Sequence, residues 1–428
     1  MVKIKKLWSI QELREKLLYT LFILLLFRLG CGLAVPFINA DVLSAMFSSG
    51  NTLDYLNMIS GGALAQCAIL ALGVAPYINA SIIVQLLSVA IPSWEAAKKE
   101  ADGQKKIERY TRTIALVFSV FLSVGYYLIL RRYGALQYTD GIPGWFAAAV
   151  IVSVFVAGAQ MTIWLGNKID EKGIGNGVSL IIFAGIVARW SSVYSAIQNI
   201  ILNVSAGKWY FIGFGALLVV FVLASIWFVV YVSGAERRVP IQYAGRTNGR
   251  VQYRSQSSFI PLKLIMSGVL PIIFASTILS LPQTIAMFMD ATKHPQMVSM
   301  MAGFNSSNWI YCVLYIALIF FFNYFYVSIQ FDPVEMANNL RKNGGTIPGI
   351  RPGKTTSDYM AKAMHQLAGT GSLALALIAL APILLGNTTG LAVQLGGTSL
   401  LIVVSVATEL MTSMDSYVTV RHHKGFLS

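Results

Sequence analysis

The groups in this 428-residue chain that could do chemistry are four histidines, three cysteines and two charged residues set inside apolar stretches. Metalloprotease, serine-hydrolase or nucleotide-phosphate chemistry would need HExxH, GxSxG or GxxxxGK[ST], and none of these occurs. His294, His365, His422 and His423 fall in loops or at the ends of apolar stretches. Cys31, Cys67 and Cys312 are too far apart for a CxxC or a metal-ligand set and read as small buried hydrophobes. No catalytic residue, metal or cofactor is expected, and an enzyme reading has little to stand on. Ion-coupled transporters bury ionisable groups in their spans as relays. Here Glu409 lies beyond the middle of the last apolar stretch, where a snorkelling or paired carboxylate accounts for it more simply than a coupling site. Arg28 needs a partner or water and reads as the anchor of a helix end or a group facing an aqueous funnel.

The elements that would position these groups are membrane helices. Only 12% of residues are charged against 56% hydrophobic, and the mean hydropathy of +0.66 is far above that of a soluble domain. Apolar stretches long enough to span fall near 17–36, 75–92, 111–130, 145–165, 177–197, 209–232, 262–282, 309–330, 366–386 and 398–416. Ten spans place both termini on one side. Loop by loop, 26 of the 32 lysines and arginines fall in the two tails and the even-numbered connections. The positive-inside rule makes that side cytoplasmic.

One apolar segment, Ser60 to Gly73, is too short to span. Two placements satisfy it: a half-helix lining a funnel on the non-cytoplasmic side, or an interfacial helix along the membrane surface. Composition does not decide between them. Two expected cytoplasmic loops exceed what orientation requires. Residues 233–262 hold two strand-like runs, Val239 to Tyr243 and Arg250 to Tyr253, around Thr247, Asn248 and Gly249, which predicts a basic hairpin. Residues 331–365 predict a short helix and then a Gly- and Pro-rich turn carrying Arg351. Basic projections of this kind suit an acidic partner, ribosomal RNA among them.

Several long motifs, in order, resemble the SecY family of bacterial protein-conducting channels. They are SGGALAQCAILALGVAPYINASIIVQLL (60–87), EKGIGNGVSLIIFAGIVA (171–188), ERRVPIQYAGR (236–246), SGVLPIIFASTILSLP (267–282), NLRKNGGTIPGIRPG (339–353) and GGTSLLIVVSVATEL (396–410). The likeness covers essentially the whole chain.

The resemblance implies an all-α polytopic membrane protein of ten transmembrane helices in two pseudo-twofold-related halves of five, 1–200 and 201–428. It turns the short segment into a half-helix plug over about 54–73, carried by Gly61, Gly62, Ala63, Leu64, Ala65, Gln66, Ile69 and Leu72. The family's pore ring maps onto Ile78, Ile82, Ile182, Ile186, Ile273 and Ile402, where stiff branched side chains would exclude water by dewetting yet yield to a passing chain. Taken without the resemblance, any one of these isoleucines reads as core or lipid-facing. The lateral gate maps onto Ser81 and Gln85 in the second span and Ser276 and Thr277 in the seventh. The docking positions for the ribosome or the SecA ATPase are Arg237, Arg238 and Arg351. The implied function is a passive channel in the bacterial plasma (inner) membrane, both termini cytoplasmic, that moves unfolded secretory polypeptides across and releases transmembrane segments into lipid. The implied partners are the small subunits SecE and SecG, SecA, the ribosome, signal peptides and nascent chains, and the lipid bilayer. Against it stand a secondary transporter, disfavoured by the few buried ionisable groups, and an insertase without a pore, disfavoured by the six isoleucines.

Overall fold

The computed structural model describes residues 10–39, 63, 66–94, 101–132, 134–139, 141–188, 210–243, 247–248, 251–252, 257–288, 296–297, 308–389 and 397–424. Each of the ten apolar stretches carries an α-helix: α1 Gln11–Gly30, α2 Ala75–Ala90, α3 Ala101–Arg132, α4 Gly141–Lys172, α5 Gly177–Ala188, α6 Tyr210–Gly234, α7 Leu270–Phe288, α8 Trp309–Gln330, α10 Lys354–Thr389 and α11 Gly397–Lys424. Between α6 and α10 come β1 Glu236–Tyr243, β2 Thr247–Asn248, β3 Val251–Gln252, β4 Ser257–Lys263, the short helix α9 Pro333–Lys342 and β5 Gly345–Thr346. Among the described residues α3, α4, α8 and α10 are long and apolar enough to cross a membrane unaided. Leu21, Val117, Trp145 and Trp227 stand more than half exposed on helix faces, a distribution that water would not tolerate and lipid favours.

Several element boundaries depart from expectation: α10 already begins at Lys354, inside the expected 331–365 loop, and α11 continues to Lys424. Three others have local reasons. α1 runs 11–30 instead of 17–36, because Gly30, Gly32 and Pro36 end helical propagation. The chain beyond it finds other backbone partners: Val35 N donates to Cys67 O (2.8 Å), Asn39 N to Ala135 O (2.8 Å) and Gln137 N to Phe37 O (3.1 Å). α3 begins ten residues before the apolar run, its charged first turns held by an Arg112–Glu108 ion pair at 2.6 Å. α7 starts at Leu270 and not near 262, since Ser257–Lys263 is already committed to a sheet.

The described chain divides into two compact units, cutting α7 after Leu279 and α11 after Ser405. The first comprises 1–201, 280–305 and 406–428. In it α3 packs on α2 and α4, while α1 packs on α4 and α5. Its core gathers Val35, Cys67, Tyr126, Leu130, Ile151, Phe155 and Ala159, with the Tyr126 and Phe155 rings edge to face at 5.3 Å. A Cβ on Gly177 would collide with the Gly166 carbonyl, so only glycine lets α5 start this close to α4.

The second unit comprises 202–279 and 306–405. In it α10 is the hub against which α6, α8 and α9 pack. A three-stranded sheet, ordered β4-β1-β5, sits over the first turns of α10. β1 and β4 run antiparallel, with Val239 opposite Ile260 and Arg237 opposite Leu262. The expected pairing of 239–243 with 250–253 is therefore incorrect. Val251–Gln252 turns back on Thr247–Asn248 instead, and β1 takes the longer partner because that pairing buries Val239 and Leu262 against Ile347, Met360, Ala363 and Leu367.

Candidate functional site

The isoleucines come first, because any pore must be lined by side chains that shed water. All six are buried, between 3% and 8% exposed. Ile78 and Ile82 lie one turn apart on α2, and Ile182 and Ile186 one turn apart on α5, so each pair shares a helix face in the first unit. Ile273 on α7 and Ile402 on α11 belong to the second unit.

The segment before α2 is wedged into the first unit. Residues 66–74 run as successive turns, with Ala71 N donating to Ala68 O and Gly73 N to Leu70 O, both at 2.9 Å. The expected half-helix does not extend over this part. Cys67 (φ 45°) and Gly73 (φ 52°) take left-handed backbone that a right-handed helix cannot include. Ile69 N donates to Leu33 O at 2.8 Å, and Ala34 bridges Ala68. Of the expected plug residues, Ala63 and Leu72 are buried, Ile69 is half-buried and Gln66 is exposed. Gly61, Gly62, Leu64, Ala65 and 54–60 lie outside the described residues.

The gate residues fall into two sets. On α2, Gln85 Nε2 donates to Ser81 Oγ at 3.2 Å, one turn away. On α7, Ser276 and Thr277 are buried, and Ser276 Oγ donates to the Ile273 carbonyl at 2.9 Å. The first set belongs to one unit and the second to the other.

The three arginines share one basic platform in the second unit. Arg237 Nη1 donates to Gln366 Oε1 at 3.1 Å, tying β1 to α10. Arg238 Nε donates to Glu236 Oε1 at 2.8 Å while its guanidinium lies 4.8 Å from the Phe259 ring centroid. Arg351 is exposed on the turn after β5, and its carbonyl accepts from Thr356 Oγ1 at 2.9 Å. Asp332 caps α9 through Val334 N and Glu335 N (2.9 and 3.2 Å), and Gly344, Gly349 and Gly353 supply the left-handed turns around Arg351. The arginines thus stand on ordered backbone with their charged ends in solvent.

Two polar sites escape a reading of the sequence by motif. Asp170 Oδ1 accepts from Gly177 N at 2.7 Å, closing the α4–α5 loop. Its carboxyl sits at the loop rim, exposed on one side, and partial burial raises its pKa while the Gly177 N–H opposes the rise. In the second unit Asn323, 1% exposed, bonds to Ser267, Ala368 and Ser372. A lone asparagine in the run Phe320–Phe321–Phe322–Asn323 was the available signal, since polar side chains at membrane depth rarely lack a role. Glu409 is exposed on α11, and Arg28 falls in the last turn of α1, where a cation complements the helix dipole.

Helices on each of the ten apolar stretches, with large apolar side chains exposed on their faces, define a polytopic membrane protein, and comparison with known proteins gives its class as that of the protein-conducting channels. The SecY family profile matches residues 68–411. The protein translocase subunit SecY of Escherichia coli K12 is 39% identical, over 95% of this chain and 91% of that relative. The corresponding subunit of Thermotoga maritima is 35% identical, over 99% and 97%. Among solved structures, Sec61 in the canine ribosome-channel complex superposes with a TM-score of 0.62 at 16% identity, covering 94% of this chain and 91% of that one. The chain belongs to the SecY family, and it is a channel subunit.

Proposed function

We propose that unfolded polypeptide passes through a constriction formed by Ile78, Ile82, Ile182, Ile186, Ile273 and Ile402, in a bacterial plasma membrane with both chain termini cytoplasmic. The observation that carries this reading is that all six mapped isoleucines are withdrawn from solvent. Branched apolar side chains at a narrow point disfavour water and ions, and they offer no polar group that would select among translocating sequences. The plug over about 54–73 seals the resting channel. Support comes from the described part of that segment, held by backbone bonds to 33–35 and by close packing on α4.

The gate lies between α2 and α7, at Ser81, Gln85, Ser276 and Thr277, and it releases apolar segments into lipid. Helix contacts through small, weakly polar side chains are worth only about 0.6 to 2 kcal/mol each, so a signal peptide can part them. Arg237, Arg238 and Arg351 dock the ribosome or SecA, which supplies the driving force, and SecE and SecG complete the complex. The halves 1–200 and 201–428 move as the two leaves of the channel. No bond is made or broken in the protein, and no catalytic residue, metal or cofactor takes part.

The deciding experiment links Ser81→Cys to Thr277→Cys in the reconstituted protein. Export of a preprotein and release of a membrane segment should both stop on oxidation and return on reduction. Unchanged export in the crosslinked protein removes the gate assignment.

A further inference from the structure

Helix α7 is joined to the platform through a fixed foot and a single left-handed glycine. Leu264 N donates to the Ala235 carbonyl at 2.8 Å, directly beyond β4. A Cβ on Gly371 would stand 2.6 Å from the Leu264 carbonyl oxygen, so α10 passes under this point with no room to spare. Met266 packs into two buried clusters, one with Val239, Leu262 and Met360, the other with Val327, Met364 and Ala368. Ser267, 3% exposed, donates to Asn323 Oδ1. Asn323 Nδ2 spends its two hydrogens on the Ala368 carbonyl and Ser372 Oγ, each at 2.8 Å, and Ser372 Oγ donates onward to Ala368 O at 2.7 Å. Residues 264–267 are thus held by a backbone bond to Ala235 and fixed to α8 and α10 by packing and a satisfied polar network.

The next residue is different in kind. Gly268 has φ +61°, is exposed, and would have nothing within 4 Å of an added Cβ. α7 then begins at Leu270, its first backbone bonds reaching Val269 O from Ile272 N (3.1 Å) and Ile273 N (3.2 Å).

We propose that Gly268 is the joint about which α7 turns and that Asn323 is the positioning residue clamping the fixed side of that joint. Resting as it does on the assignment of α7 to the lateral gate, the inference adds where the moving part ends. Within the half 201–428, the platform that carries the docking arginines and the foot of α7 stay one body, and α7 moves relative to them only beyond Gly268. Glycine suits the place because it moves between left- and right-handed backbone without a Cβ penalty, and because no side chain there has packing to lose.

Two measurements on the full-length protein in vesicles test this. Spin labels at Ser258 and Thr355 report the platform, and labels at Ser258 and Ile278 report α7 beyond the joint. On adding a synthetic signal peptide the second distance should shift while the first stays put. In parallel, export of a precursor with a shortened apolar signal is compared with export of the intact precursor. A freed foot lets a weak signal part the helix, so Asn323→Val should raise that ratio by about five-fold or more, the equilibrium effect of one ordinary hydrogen bond. Ser267→Ala should raise it by less. Should Asn323→Val fail to insert, Ser267→Ala decides, because it removes a single bond. A ratio unmoved in inserted protein, or platform labels that shift together with α7, overturns the proposal. A static Ile278 label in protein whose export the Ser81–Thr277 crosslink blocks overturns the joint alone. Export indifferent to that crosslink overturns the gate reading and the joint with it.

Discussion

The backbone of Ile69 fills the space where Gly158 would carry a side chain: a Cβ added there would collide with the Ile69 carbonyl oxygen and carbon. Neither partner can yield cheaply. Ile69 is held by its N–H on Leu33 O (2.8 Å), and Gly158 lies within the 32-residue helix α4. Gly158→Ala must therefore push residues 66–74 off α4, at a cost of about 1–3 kcal/mol for overpacking. The expected outcome is an ion leak in reconstituted vesicles without substrate, together with a lower thermal midpoint. A tight seal in the variant would show that this segment does not close the channel.

The isoleucine constriction predicts a graded response to side-chain shape. Ile82→Val keeps the branch at Cβ and should leave the resting membrane tight. Ile82→Ser opens the space and places a hydroxyl in it, which favours wetting. Single-channel recording should show resting conductance for the serine variant alone, with export of an intact precursor retained in both.

The α4–α5 loop gives a pH prediction. Asp170 has a raised pKa in the folded protein. Its unfolded counterpart loses the proton first as pH rises, so this group's contribution to stability falls between its ordinary pKa of 3.8 and the raised folded value, and stays low above it. Asp170→Asn removes the cost of a partly buried charge and keeps an oxygen for the Gly177 N–H. Detergent-solubilised variant should unfold at the same or a slightly higher temperature at neutral pH, with the difference vanishing under acid. Because Asp170 is exposed on one side, solvent screening keeps the effect small. Asp170→Ala should instead destabilise at every pH, by about 1–3 kcal/mol for an amide left unpartnered.

Ten helices were legible in the chain because lipid demands long apolar runs and nothing else in the composition supplies them. Their ends were less so. The run that continues past Gly30 is apolar to Val35, yet it leaves the helix, because the backbone from Leu33 to Asn39 is satisfied by Cys67, Ile69 and Ala135, partners remote in sequence. The β1 partner was missed for a similar reason. Ser257–Lys263 reads as a polar lead-in to an apolar span, and only the cluster beneath it, with Ile347 and Met360 contributed from about a hundred residues downstream, makes it a strand. The six isoleucines owe their selection to family motifs; spacing alone would have left them in the core. Asn323 needs three separate elements to show its partners.

The platform predicts that its arginines are not equivalent. Arg238 is already engaged by Glu236 and by the Phe259 ring, and Arg237 by Gln366, so replacing either disturbs the sheet as well as its charge. Arg351 presents its guanidinium from a turn fixed by backbone, with Gly349 (φ 79°) and Gly353 (φ 110°) on either side. Charge reversal there should leave the fold intact and act on docking alone. Arg351→Glu should lower export by about ten-fold, equivalent to about 1.4 kcal/mol of docking, with the protein inserted at its normal level and the same melting profile. The loss should shrink for Arg351→Lys, which keeps the charge and gives up the planar fork. Binding of SecA or ribosomes to vesicles, measured at two salt concentrations, separates the two contributions. A lysine variant that matches the parent at low salt and falls behind at high salt means that the fork contributes beyond its charge. Equal binding by the glutamate variant at both salts would remove Arg351 from the docking surface.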